Sequence, residues 1–338
     1  MAERVHLAAN NADLGGGEQV LVRTAAALLA LGRPVTVVAP DRPTDVLDAA
    51  SAVGAEVVAI RADGRRDHLR RLRAWDRARR DGLLWCHGLV PSLATAGHRR
   101  RVVHLHQLPR SRAQWAALAV ARRGSERVLT PSAYLAGKVR GAQVLANWTD
   151  DVAPVARPAA RGRVGFMGRF ATDKGLDLVA TAVAGSPTTS LVVAGDDRWV
   201  PAEQLAPVDS ALAVLGDRVR RLGRVDPRAF FDEVDLAVFP SRVAESFGLV
   251  VAEAMAAEVP FVVSDAGALP EVAGPGHPWV ARSGDADDLA RVVREALAAT
   301  PEEVRDVTDR ARARWQEHYS PQAGRLRVDR LLSDLGVT

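Results

Sequence analysis

The chain has a single cysteine, Cys86, so no disulfide can form within it, and its place in Leu83-Leu84-Trp85-Cys86 reads as a buried core thiol. Lysine is nearly as scarce. Lys138 and Lys174 are the two in the whole sequence, so almost all positive charge is arginine and the net charge is a modest +4. Aromatic residues make up 5% and no nucleic-acid recognition motif appears, which argues against a nucleic-acid partner. No uncharged apolar run reaches the roughly eighteen residues that a membrane span needs, and Met1-Ala2-Glu3-Arg4 leads into a strand pattern and not into a signal peptide. These absences predict a cytoplasmic protein. A dinucleotide fingerprint is missing as well: Leu14-Gly15-Gly16-Gly17-Glu18 does not have the GxGxxG spacing, and Asp41 lies beyond the end of the second strand, after Pro40.

The 338 residues present are 48% apolar, enough for two cores. Short β-rich runs alternate with helical stretches, which predicts parallel sheets covered by helices. Strands are expected at 4–9, 35–39, 56–60, 83–86, 102–106 and 127–130. A second series is expected at 163–167, 191–194, 219–222, 236–239, 261–264 and 279–281. The stretch from Asp150 to Arg161, with two prolines and no apolar periodicity, reads as a linker. The expected domains are therefore 1–150 and 151–310, followed by two helices broken near Ser320-Pro321.

The most informative stretch is Pro240 to Glu271. After the apolar run Leu236-Ala237-Val238-Phe239, a helix is expected to begin at Ser246 or Phe247, leaving backbone N–H groups free to meet an anion. Gly248 allows a close approach. If Glu245 and Glu253 both ride on that helix, eight positions at about 1.5 Å each set them roughly 12 Å apart. Paired glycosidase carboxylates stand about 5 to 9.5 Å apart, so these acids better suit the two ends of a long ligand with phosphates between them. Lys174, in Asp173-Lys174-Gly175, supplies a compact point charge in a chain that otherwise uses arginine.

The run PSRVAESFGLVVAEAMAAEVPFVVSDAGALPEV resembles the donor-binding signature of glycosyltransferase family 4, the retaining nucleotide-sugar transferases with a GT-B fold. Three further segments resemble that family in order. They are the loop Gly15-Gly16-Gly17, the strand Val103-His104-Leu105-His106, and Gly168-Arg169-Phe170 with Lys174-Gly175. The resemblance implies an α/β protein of two Rossmann-like doubly wound domains facing an interdomain cleft. It also implies that the C-terminal segment 311–338 returns to the first domain. Arg169 and Lys174 would hold the diphosphate and Glu253 the ribose. Glu245 with the amides of Phe247, Gly248 and Leu249 would hold the sugar and its phosphate. His106 would meet the donor sugar, with His104 buried behind it, and Arg224 would flank the base.

The implied activity is transfer of a hexose-type sugar from a nucleotide diphosphate, a UDP-sugar before a GDP-sugar, to an acceptor hydroxyl of a sugar, small molecule or lipid. No cofactor or metal is implied, since the cations neutralise the leaving group. Asp285-Ala286-Asp287 has the spacing of a divalent-ion motif but sits where a helix cap is expected. The stretch from Arg61 to Arg80 holds nine arginines with Leu69, Leu72 and Trp75 at helical spacing, which favours a solvated helix with an apolar seam and leaves a membrane-surface helix as the second reading. A non-catalytic sugar-nucleotide binder or a GT-B epimerase would share the donor residues. Neither the acceptor, the donor base nor the oligomeric state is written in the sequence.

Overall fold

The computed structural model describes residues 2–155 and 162–337. The chain divides into two compact units, Met1–Trp148 with Pro321–Thr338, and Thr149–Ser320. The first contains β1 (Val5–Ala8), β2 (Val35–Pro40), β3 (Glu56–Ile60), β4 (Leu83–His87), β5 (Arg101–His104), β6 (Arg127–Thr130) and β7 (Gln143–Val144) in the order β3-β2-β1-β4-β5-β6-β7. The second contains β8 (Arg163–Met167), β9 (Ser190–Ala194), β10 (Val219–Gly223), β11 (Leu236–Phe239), β12 (Phe261–Ser264) and β13 (Val280–Ala281) in the order β10-β9-β8-β11-β12-β13. The strand pairs are parallel in both sheets. The central strands β1, β4, β11 and β12 are buried along their whole length, as strands covered on both faces must be. This is the doubly wound α/β architecture that the alternating pattern predicts.

Each sheet reverses its winding once, between β1 and β4 and between β8 and β11. The carboxyl ends of those strands are where an open α/β sheet leaves room for a ligand. In the first unit Leu7, Leu21, Leu28 and Trp85 form the centre of the core. Val328, Leu331 and Leu332 of the helix Pro321–Asp334 close that core against the helix Gly16–Ala30. The second core is built around Val164, Phe166, Leu191, Val238 and Leu289. Arg101 is fully buried with no carboxylate partner among the described residues, and its guanidinium donates instead to the carbonyl oxygens of Ser92, His98, Ala121 and Arg123.

Several boundaries differ from those expected. The helix Pro301–His318 packs on the helix Leu249–Ala256 and belongs to the second unit through Ser320, so only Pro321–Thr338 returns to the first. Trp315 explains the difference, since its indole is buried and donates to Thr149 Oγ1 at 2.8 Å within the second unit. Part of the expected linker, residues 156–161, lies outside the described residues. The strand expected to reach His106 stops at His104, and the short β7 was not anticipated. The seam of the arginine-rich helix Arg65–Arg79 faces inward, where Leu72 packs with Val38, Ile60 and Ala94, and Leu69 and Trp75 lie against them. Among the described residues no helix is long and apolar enough to cross a membrane.

Candidate functional site

Residues at the carboxyl ends of β8 and β11 meet across the switch point of the second sheet. The loop after β8 carries Arg169, and a 3-10 turn, Thr172–Lys174, carries Lys174. The loop after β11 carries Ser241, Arg242 and Glu245. Lys174 Nζ lies 2.5 Å from Glu245 Oε1, and Ser241 Oγ donates to the same oxygen. The sequence reading set the lysine and the acid on different parts of a ligand, whereas here they form an ion pair that a ligand would share. Both are about a quarter exposed, so the pair lies at an accessible surface. Arg169 donates to Asp173 Oδ2 at 2.8 Å and keeps its guanidinium largely in solvent.

Arg242 was not anticipated, although it lies in the quoted run. Its guanidinium grips both oxygens of Asp177, at 2.6 and 2.7 Å, and donates to the Thr172 carbonyl. With the Arg242 N–H bonded to the Asp173 carbonyl, the turn that presents Lys174 is clamped to the loop that presents Glu245. Arg242 thus acts by positioning. Ser241 is fixed from behind by Ser264 and Ser283, whose hydroxyls donate to its carbonyl.

The helix after this loop begins at Leu249, not at Ser246 or Phe247. Gly248 caps it at φ +99°, a left-handed conformation that only glycine adopts without strain, and a Cβ there would lie 2.6 Å from Leu269 Cδ2. Glu245 is therefore not on the helix. It forms an isolated bridge with Gly267, and the 12 Å spacing derived for one continuous helix does not apply. Glu253 is the fifth residue of that helix and is 6% exposed, so it is held well inside the second unit. Phe247 is buried edge-on to Tyr319, which leaves its backbone and not its ring for a ligand. The first-turn amides of Leu249 and Val250 belong to partly exposed residues beside Glu245 in sequence, an arrangement suited to a phosphate. Arg224, just past β10, is half exposed and 3.7 Å from Asp196. Asp285 caps the helix Ala286–Ala298 by accepting from the Asp288 N–H at 2.9 Å.

Gly267 ties the loop together. It sits at φ +66°, and a Cβ would come within 2.4 Å of the Glu245 carbonyl oxygen and 2.5 Å of its nitrogen. Gly267→Ala is expected to cost about 1 to 3 kcal/mol of stability, from backbone strain and from driving Glu245 away from Lys174. Thermal unfolding of the variant checks this, and an unchanged midpoint would show that the bridge is slack.

In the first unit the helix begins at Gly16, so Gly16 and Gly17 form its first turn and are not loop residues as expected. Glu18 is buried and accepts from both the backbone and side-chain amide nitrogens of Asn11, while burial pushes its carboxyl up from the usual range. A Cβ on Gly17 would stand 3.2 Å from His106 Cδ2, so the glycine turn and His106 are neighbours. His106 is not alone. Its Nε2 lies 3.0 Å from His87 Nδ1, and its ring centroid lies 4.4 Å from that of His104. Burial holds all of them neutral: His106 is pushed down to about 4, and His87 and His104 well below the usual imidazole value. The sequence reading placed His104 behind His106 but missed His87, whose signal was a histidine ending the neighbouring strand. A cavity of about 510 Å³ opens nearby in the same unit, where Asn10, Asp13, Arg42, Arg61, Arg65 and His68 are among its walls.

Comparison with known proteins bears on the second unit first. Residues 161–299 match the model of the glycosyl transferases group 1 family. The second unit is thus similar to the group 1 glycosyl transferases over those residues. It holds Arg169, Lys174, Arg242, Glu245, Gly248 and Glu253.

Two curated relatives are glycosyltransferases. D-inositol 3-phosphate glycosyltransferase of Mycobacterium marinum is 35% identical over 137 residues, 38% of this chain and 29% of the relative. The lipopolysaccharide core biosynthesis mannosyltransferase LpcC of Rhizobium leguminosarum is 34% identical over 160 residues, 44% of each. The chain thus spans less than half the length of these curated relatives. Anabaena Alr3699/HepE, solved in complex with UDP-glucose, is similar in fold with a TM-score of 0.84 at 19% identity, over 98% of this chain and 100% of that one. A glycosyltransferase from Rickettsia africae matches with a TM-score of 0.81 at 11% identity, over 99% and 98%. At these identities the likeness establishes the GT-B fold alone.

Proposed function

We propose that the protein is a retaining glycosyltransferase of family 4 type, moving a hexose-type sugar from a nucleotide diphosphate to an acceptor hydroxyl without a metal on the diphosphate. The observation that carries this reading is the cationic and acidic cluster at the switch point of the second sheet, inside the matched group 1 region. Lys174 and Glu245 are paired there, beside a helix start with unbonded amides. Lys174 keeps two further ammonium protons to donate when Glu245 takes one. With the exposed guanidinium of Arg169, it would stabilise the charge that grows on the leaving diphosphate as the anomeric bond breaks.

In this reading Glu253 takes the ribose hydroxyls and Arg224 borders the base. Glu245 and the amides of residues 247–249 hold the sugar and its phosphate. From the first unit, His106 and the Gly15-Gly16-Gly17 turn meet the donor sugar, and the cavity near Asn10 and Arg61 receives the acceptor. No carboxylate in the cluster is assigned as a covalent nucleophile. The leaving phosphate takes the acceptor's proton on the face it departs from, which gives retention. A UDP-sugar is the favoured donor, with a GDP-sugar second.

Thermal shift against UDP-, GDP-, ADP- and dTDP-sugars tests the donor. A ligand at a hundred times its dissociation constant contributes about 2.7 kcal/mol, so one base class is expected to raise the midpoint by several degrees while the others leave it in place. No response to any of the four would remove the reading. Release of the nucleoside diphosphate on adding acceptor then separates a transferase from a binder.

A further inference from the structure

We propose that His87, His104 and His106 form a binding site for a divalent transition-metal ion, with Zn²⁺ as the favoured occupant. Strand register builds it. His87 and His104 are direct partners at the carboxyl ends of the parallel strands β4 and β5. His106 follows His104 by two residues and lies in contact with both of the other rings. One ring nitrogen from each histidine lies within 4.8 Å of the others, and among the described residues this is the only such group of three or more histidine, cysteine or acidic side chains.

The hydrogen-bond pattern points to a missing partner. Among the described residues neither nitrogen of the buried His104 has a hydrogen-bond partner, while His87 Nδ1 and His106 Nε2 face each other and leave their other nitrogens turned away from the group. Native interiors leave few polar atoms in that condition, and a buried ring with both nitrogens unmet beside two others calls for an ion or a water. Neither tautomer of His104 is satisfied. A tetrahedral ion holding imidazoles at 2.0 to 2.1 Å needs its ligand nitrogens about 3.3 Å apart. The His87 Nδ1 to His106 Nε2 separation of 3.0 Å is already close to that, so small ring rotations suffice. Three neutral imidazoles without a carboxylate suit Zn²⁺, Co²⁺ or Ni²⁺ and do not suit Mg²⁺ or Ca²⁺, which take oxygen ligands. The fourth position falls to water or a ligand on the side of His106, the one ring of the three that is partly exposed.

Metal binding here stands on the first unit alone. Its consequence for activity rests on the proposed function: an ion on His106 withdraws that ring from the donor sugar, so Zn²⁺ is expected to inhibit transfer. The test is a Co²⁺ titration of the chelator-treated full chain. One equivalent is expected to give the visible absorption of a four-coordinate nitrogen site, and Zn²⁺ should displace it. His87→Gln and His104→Gln are each expected to weaken binding by at least about tenfold. No visible band, or a band unchanged in both variants, would overturn the site. If the variants do not fold, zinc X-ray absorption on the unaltered chain decides, because three imidazoles support the site and fewer than three overturn it. A flat response to sugar nucleotides alongside normal Co²⁺ binding would strike the functional reading and leave this one standing.

Discussion

Lys174→Met is expected to lower the turnover of transfer by about 10²- to 10³-fold with little change in thermal stability. The charge is what matters, because methionine keeps the length of the side chain and loses the ammonium. In the resting protein Lys174 answers Glu245, whose other contact, from Ser241, survives the substitution. A pair this exposed contributes about 0 to 1 kcal/mol to folding. On the proposed function the transition state asks more, since the departing diphosphate would gain charge beside the ammonium. Losing one fixed donor there costs about 2.7 to 4 kcal/mol. Arg169→Met should be milder, because its guanidinium is 43% exposed and already holds Asp173. Steady-state kinetics by nucleoside diphosphate release, with donor saturating, gives the comparison. A Lys174 variant with full turnover and a raised KM alone would mean that the ammonium binds the donor without helping it leave.

The folding units were readable because parallel strands announce themselves. Runs such as Leu83-Leu84-Trp85-Cys86 and Phe261-Val262-Val263-Ser264 are apolar on both faces, and the spacing between them leaves room only for crossover helices. What the sequence hid depends on contacts between distant residues. Lys174 meets Glu245 across 71 positions and Arg242 meets Asp177 across 65, and both pairings follow from β8 lying beside β11, which no local pattern encodes. The same holds for His87, silent until β4 and β5 pair in register. Local errors had local causes. The helix start was set too early because Gly248 was read as giving access to a ligand, whereas its left-handed backbone is itself the boundary. Trp315 held the penultimate helix to the second unit, against a family pattern that sends the chain's end to the first.

Acidification from pH 7 to pH 5 is expected to weaken both units, and the histidines set the window. His106 and His277 are pushed down to about 4, and His87 and His104 well below the usual imidazole value, in each case first by burial. In the unfolded chain each returns to about 6.5. Between those values the unfolded state takes up protons that the native state refuses, so stability rises with pH there and falls as pH is lowered. For a single group moving from 6.5 to about 4 the loss at pH 5 is about 2 kcal/mol, and below about 4 the effect is complete. The three rings in the first unit titrate as a set, because protonating one raises the cost for its neighbours. Glu18 works the other way in that unit, since burial raises its carboxyl above the usual range and so favours the native state on acidification, which offsets part of the loss. Asp288 and Glu303, held below the usual carboxylate range in the second unit, lose their contribution only below about 4.5. The interval from 6.5 to 5 is where the lowered imidazoles act. Trp85 lies 5.8 Å from the His87 ring and Trp279 lies 6.0 Å from His277, so tryptophan fluorescence during urea unfolding reports on each unit. His277→Gln keeps a donor for the Phe261 carbonyl, which His277 Nε2 meets at 2.9 Å, and has no proton to gain. It should flatten the pH dependence of the second unit and leave that of the first intact. Equal midpoints at pH 7 and pH 5 in the unaltered chain would mean that the buried rings are reached by water and charge freely.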